Sequence, residues 1–287
     1  MISLAEWEEG GTFTAYQGRR IFCRDGGSPM APALVLIHGF PTASWDYEAL
    51  WAPLTARYRV ITLDMLGFGF SDKPIDFSYS ILEQADLFER RLTELGLTEY
   101  HVLAHDYGDT VAQELLARHS EPGARPTLRS VCFLNGGLFP ETHRPLLVQK
   151  LLLSPLGDWV ARLITRARFC KSLSSIFGRD TQPSSEMLEG FWALLQRHNG
   201  MRVMPKLIHY MPERVQRRAR WVGALQKSTV PLKLIDGASD PVSGRHMVDR
   251  YRELVPAANV TLLEGVGHYP QVEAPEAVLE AYLQFRG

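Results

Sequence analysis

The stretch Tyr100–Leu115 limits the fold more than any other part of the chain. It begins as a short apolar run, Tyr100-His-Val-Leu-Ala104, of strand length. Within a few residues the pattern turns helical, with Val111, Leu115 and Leu116 spaced for one face. Between the two lie Ala104, Asp106 and Gly108, a small-x-acid-x-small pattern. A sharp strand-to-helix turn needs small residues on both sides, because the backbone passes too close for larger side chains. The apex residue, Asp106, is then pushed into strained backbone angles and its side chain is presented to a cleft. Taken alone, Asp106 is explained equally well as a helix N-cap, accepting a bond from a first-turn N–H.

The rest of the chain repeats the strand-to-turn pattern. Thr12–Tyr16 and Arg20–Arg24 flank Gln17-Gly18 and read as a hairpin. Ala33–Ile37 is a continuous apolar run ending in His38-Gly-Phe-Pro41, as expected of a strand buried on both faces of a parallel sheet. Tyr58–Asp64 is another, followed by the turn-rich Gly67–Pro74. Ser80–Leu95 has helical spacing and stops at Gly96. Ser130–Leu134 is a further strand. The alternation predicts right-handed crossovers and a mostly parallel sheet. From about Pro140 to Val222 no strand run occurs, and Leu146–Leu153, Trp159–Arg168 and Met187–Arg197 look helical. Strands resume at Val230–Ile235, which leads to Asp240, and at Asn259–Leu263, which leads to His268. Glu276–Phe285 closes the chain as a helix. The reading is a core of residues 1–139 and 223–287 with a helical cap of residues 140–222.

Composition matters for what it excludes. A length of 287 residues suits one large α/β domain with an insertion. Net charge is −1, so nucleic-acid binding is not expected. The cap is different. It holds 14 Lys/Arg and 6 Asp/Glu, which leaves 17 and 26 of the chain's 31 and 32 for the remainder, or +8 on −9. Scattered arginines usually mean solvated helix faces. Attraction of an acidic substrate or a membrane surface is the lesser reading. Cys23, Cys132 and Cys170 are too few and too scattered for a disulfide framework or zinc site, which suits a reducing, cytoplasmic setting. Neither a signal peptide nor a transmembrane run is expected. No metal or cofactor is called for.

Three turns after strand-like runs thus carry Asp106, Asp240 and His268, in that order. The first is a nucleophile elbow, usually written G-x-S-x-G, with a carboxylate at its apex. In open α/β sheets the carboxyl ends of strands face one crevice, so the three can converge. An ionised Asp106 needs no base to displace a leaving group from saturated carbon. The resulting alkyl ester must then be hydrolysed, which needs a base. His268 fits, with Asp240 orienting its other ring nitrogen. The backbone N–H groups of Phe40 and Tyr107 are placed to hold the oxyanion.

His38-Gly-Phe-Pro41, Gly67-Phe-Gly-Phe-Ser-Asp-Lys-Pro74, His105-Asp-Tyr-Gly108 and Gly267-His-Tyr-Pro270 resemble the epoxide hydrolase and haloalkane dehalogenase branch of the α/β-hydrolase fold superfamily. The resemblance implies an α/β-hydrolase fold, with a mostly parallel central sheet flanked by helices and a helical cap inserted after a sheet strand. It implies a cofactor-free hydrolase acting on a small-molecule substrate. It also places Tyr210 where a proton-donating cap tyrosine is expected, and His38 joins it as a candidate for substrate or leaving-group contact. Pro140–Leu156 holds no second tyrosine. A dehalogenase of this branch carries Trp after the nucleophile and often Asn in the His-Gly turn, where this chain has Tyr107 and Phe40. An epoxide hydrolase is therefore expected first and a dehalogenase second. A non-catalytic binding protein on a hydrolase scaffold is third. Oligomeric state is left open.

Overall fold

The computed structural model describes residues 2–287. Its centre is one eight-stranded sheet. The strands are β1 (Thr12–Tyr16), β2 (Arg19–Gly26), β3 (Ala33–Ile37), β4 (Arg59–Leu63), β5 (Glu99–His105), β6 (Thr127–Leu134), β7 (Leu232–Gly237) and β8 (Val260–Leu263). They run in the order β1-β2-β4-β3-β5-β6-β7-β8. β2 pairs antiparallel with β1 and β4, and every other pairing is parallel. The β1–β2 hairpin turns on Gln17 and Gly18, both at positive φ (49° and 74°), the conformation a two-residue hairpin requires. All five residues of β3 are buried, because helices cover both faces of the central strands.

Among the described residues four α-helices precede the β6–β7 connection and three follow it. They begin with α1 (Leu4–Glu9), α2 (Glu48–Thr55), α3 (Ile81–Glu94) and α4 (Tyr107–His119). Between β6 and β7 the described residues form only helices: α5 (Leu147–Leu153), α6 (Gly157–Leu163), α7 (Arg166–Ser174), α8 (Ser185–Gln196), α9 (Met204–Leu207), α10 (Tyr210–Gln216) and α11 (Arg218–Gln226), with a short 3₁₀ turn before α9. The chain ends with α12 (Arg245–Leu254), α13 (Pro270–Glu273) and α14 (Pro275–Arg286).

The single helix expected over Trp159–Arg168 is two. Ile164 is extended (ψ 113°), and the Thr165 hydroxyl caps α7 by accepting from the Arg168 N–H at 3.4 Å. The boundary expected at residue 222 falls inside α11. That helix is tied to α4 through the buried Glu114, which accepts from Arg220 at 2.7 and 2.9 Å, Trp221 Nε1 at 2.7 Å and Arg118 Nε at 2.7 Å. A buried carboxylate with every oxygen paired this way holds its neighbours in one arrangement.

The sharp turn between β5 and α4 depends on Gly108. A Cβ there would lie 2.4 Å from the Ile37 carbonyl oxygen and 2.7 Å from that of His38. Those are backbone atoms and cannot move aside cheaply. Gly108→Ala is therefore expected to destabilise the fold by about 2 kcal/mol or more. Gly223, in α11, has open space at its Cβ position. Gly223→Ala is expected to be neutral or stabilising by up to about 1 kcal/mol. Urea unfolding of both variants checks the contrast.

Candidate active site

Asp106 follows β5 directly and precedes α4, yet its side chain makes no cap bond to the helix. Its backbone sits at φ 49°, ψ −105°, and the residue is 3% exposed. Freed from capping, the carboxylate turns to other partners. Oδ2 accepts from the Phe40 N–H at 3.0 Å, and Oδ1 lies 3.9 Å from His268 Nε2. Burial pushes its pKa up. The positive charges of His268 and Arg214, with smaller help from His105 and the Phe40 N–H, outweigh that and hold it below the usual value. Asp106 is therefore ionised at neutral pH.

His268 Nδ1 donates to Asp240 Oδ2 at 2.8 Å. The His268 main chain is fixed as well: its N–H donates to the Ile176 carbonyl at 2.8 Å, and its carbonyl accepts from His105 Nε2 at 2.8 Å. Burial would depress the imidazole. The charge of Asp240, the hydrogen bond to it and the charge of Asp106 together lift its pKa to about 9. Asp240 is also buried, which raises its pKa. Its bonds to His268, the Val242 N–H and Ser243 bring it down to about 2.

Three of the expected groups, Asp106, Asp240 and His268, thus meet: His268 is hydrogen-bonded to Asp240, and its Nε2 faces Asp106 Oδ1 across 3.9 Å. Phe40 brings its N–H to the carboxylate. Tyr107 is the first residue of α4, so its N–H has no intrahelical acceptor, but it makes no hydrogen bond to Asp106 here. Tyr210 lies close by, its ring 5.0 Å from that of Tyr107 and 5.9 Å from that of Phe40. Its buried hydroxyl has no hydrogen-bond partner among the described residues, and the residue packs behind Phe40 and Tyr107 rather than in the cavity wall. His38 is a correction. Its Nδ1 donates to the Gly39 carbonyl at 2.8 Å and its Nε2 accepts from the Met65 N–H at 3.0 Å. Both ring nitrogens are spent on holding loops, and the residue does not line the cavity beside Asp106.

Sequence reasoning missed the supports. Arg214, on α10 and 3% exposed, donates from Nη2 to the Asp106 carbonyl at 3.0 Å and from Nε to Thr110 at 2.7 Å. Asn135 donates to Asp240 Oδ2 at 3.1 Å and accepts from the Gly237 N–H at 2.6 Å. Glu273 accepts from the N–H groups of Gly267 and Tyr269 at 2.7 and 2.9 Å, clamping the His268 loop. Of these, only Asn135 stands in a turn directly after a strand, the setting that marks Asp240 and His268.

A cavity of about 360 Å³ opens beside the site. Asp106, His268 and Phe40 line it, together with cap residues such as Leu152, Val160, Phe169 and Leu173. Its wall is almost wholly apolar. Among the described residues no cluster of His, Cys, Asp or Glu could hold a metal ion.

An acidic elbow after β5, an acid after β7 and a histidine after β8 of a mostly parallel sheet are the framework of a hydrolase fold. Residues 32–275 match the alpha/beta hydrolase fold family, and the chain belongs to it. Over 298 aligned residues it is 45% identical to the mesoderm-specific transcript homolog protein of Homo sapiens, covering 99% of this chain and 88% of that one. It is 39% identical to the putative hydrolase LipZ of Mycobacterium tuberculosis, covering 98% and 97%. The crystal structure of haloalkane dehalogenase DbeA from Bradyrhizobium elkani USDA94 superposes with a TM-score of 0.80 over 96% of each chain, at 23% identity, a likeness of fold.

The pKa of His268 makes a pH prediction. Its folded value of about 9 lies above the ordinary 6.5. The imidazolium's contribution to stability is then complete below about pH 6.5 and lost as pH rises through about 9. The melting-temperature gap between wild type and His268→Gln is expected to be widest near pH 6 and to narrow towards about pH 10. Thermal melts across that range measure it.

Proposed function

We propose that the protein hydrolyses an epoxide on an apolar molecule through an ester of Asp106. The observation that carries this reading is the ionised, uncapped carboxylate at the apex, within 3.9 Å of an imidazole that is itself bonded to Asp240. Oδ2 is already engaged by the Phe40 N–H, so Oδ1 is the free nucleophile. It bonds to one ring carbon as that carbon's bond to oxygen breaks, and the departing oxygen takes the Tyr210 proton. Water then attacks the ester carbonyl while His268 removes its proton. The oxyanion forms at Oδ2, against the Phe40 N–H and the free N–H of Tyr107. The ester bond breaks and releases the diol. Of water's two protons, one ends on the diol oxygen leaving Asp106 and the other restores Tyr210.

Two features favour an epoxide over a halide. An epoxide oxygen needs a proton donor, and the unpartnered Tyr210 hydroxyl is buried among the rings of Phe40 and Tyr107. A halide ion needs N–H donors from side chains, and the residues after the nucleophile and in the His-Gly turn are Tyr107 and Phe40. The apolar cavity wall supports a hydrophobic substrate.

Incubating His268→Gln with a panel of aryl and alkyl epoxides is expected to leave a mass increment of the intact epoxide on the Asp106 peptide, with turnover at least about 100-fold slower than wild type. Tyr210→Phe is expected to slow formation of that adduct by about 100-fold. Halide release from haloalkanes with no adduct from any epoxide would overturn the reading.

A further inference from the structure

The cap exposes an unusual amount of apolar surface at one place. Nine large hydrophobic side chains of the described residues are exposed, and five of them lie on α5 and α6 and their junction. Leu147 (72% exposed) and Leu151 (43%) are one turn apart on α5. Leu156 (63%), Trp159 (65%) and Leu163 (64%) follow at three- and four-residue spacing and share a face of α6. The two helices pack against each other. Each stripe also contains a residue, Leu151 or Leu163, that lines the cavity beside Asp106. The two stripes therefore flank the cavity mouth.

Charge identifies what covers them. Of the cap's 14 basic residues, Arg166, Arg197, Arg217, Arg218 and Arg220 pair with carboxylates, and Arg214 is buried against the elbow. Among the described residues the other eight have no ion partner, and five of these, Arg144, Lys150, Arg162, Arg168 and Lys171, fall in the segment that carries the stripes. Asp158 is the only acidic residue between Arg144 and Lys171. The Arg162 guanidinium lies 5.4 Å from the Trp159 ring centre, pairing a cation with an aromatic. No helix among the described residues is long and apolar enough to cross a membrane. An apolar face with a basic rim and a tryptophan lies on a membrane instead, its long basic side chains reaching the headgroups.

We propose that the α5–α6 face docks on an anionic lipid bilayer and opens the cavity towards it. A second copy of the chain fits this face poorly. A two-fold contact would set the same patch against itself and bring the basic rims together. The lipid surface supplies the apolar interior and the negative charge at once. The docking does not depend on the chemistry assigned to Asp106, so its test can fail without touching that assignment.

The test is co-sedimentation of the full chain with vesicles of phosphatidylcholine alone or mixed with phosphatidylglycerol. Wild type is expected to sediment with the phosphatidylglycerol vesicles, less with phosphatidylcholine, and less as salt rises. Leu156→Ser/Trp159→Ser is expected to weaken binding by about tenfold or more. Lys150→Glu/Arg162→Glu, at surface positions that leave the fold untouched, is expected to do so by a similar factor. Unchanged thermal melts show that both double variants are folded. No sedimentation of wild type with anionic vesicles would overturn the proposal. So would equal binding by the variants, or a dimer in light scattering that the variants dissociate.

Discussion

The structure depends on how closely the start of α4 approaches the end of β3. Gly108 backs onto the carbonyls of Ile37 and His38, and a Cβ on Gly39 would lie 2.6 Å from the His105 ring and 3.0 Å from Asp106 Cβ. With two segments held that near, the chain leaves β5 only through a turn that carries Asp106 to φ 49°. A non-glycine residue held there costs about 1–3 kcal/mol. The strain has a chemical result. An aspartate before a helix ordinarily caps it. This one cannot reach the α4 amides, so its carboxylate is left for Phe40, His268 and the cavity.

Four carboxyl groups near one another then separate by environment. Asp106 and Asp240 are buried, but donors and positive charges surround them and both stay ionised. Asp109 and Asp236 are equally buried and their oxygens have no partner among the described residues, so burial pushes both well above the usual carboxylate range. Had all four been charged, their mutual repulsion would have worked against the elbow. The cap takes part in this arrangement. Arg214 comes from α10, 108 residues after Asp106, and grips the Asp106 carbonyl while its charge favours the carboxylate. Glu114 on α4 binds α11 from the other side. Cap and elbow are therefore one polar assembly.

What the sequence shows follows from what is local. β3 reads off as Ala33–Ile37 because burial on both faces leaves an unbroken apolar run. Asp106, Asp240 and His268 stand out because each follows a strand end, where a reactive side chain is conspicuous. The cap was harder. Ile164 suits a helix or its end, and only the Thr165 cap decides between them. The stretch from Met204 to Gln226 lacks a clean apolar period because it buries Arg214 and ties Trp221 to Glu114. Arg214 and Asn135 act over about a hundred residues of chain, where no pattern of spacing reaches. His38 shows the opposite failure: a histidine in a Gly-Pro loop resembles a reactive group, yet its ring serves two backbone segments.

The resting charges also bear on the order of the proposed steps. An imidazole with a pKa of about 9 is mostly protonated at neutral pH, and a protonated His268 cannot act as a base. It can, however, sit beside the carboxylate before attack and help to keep that carboxylate ionised. Ester formation removes the Asp106 charge, one of the influences that hold the His268 pKa up. With that charge gone the imidazolium loses stabilisation, its pKa falls and it gives up its proton to solvent, regaining one from solvent when the Asp106 carboxylate re-forms. Asp240 remains, bonded to Nδ1, so Nε2 becomes the free, basic nitrogen facing the ester. In the proposed scheme the histidine becomes a competent base only once there is an ester for its water to attack.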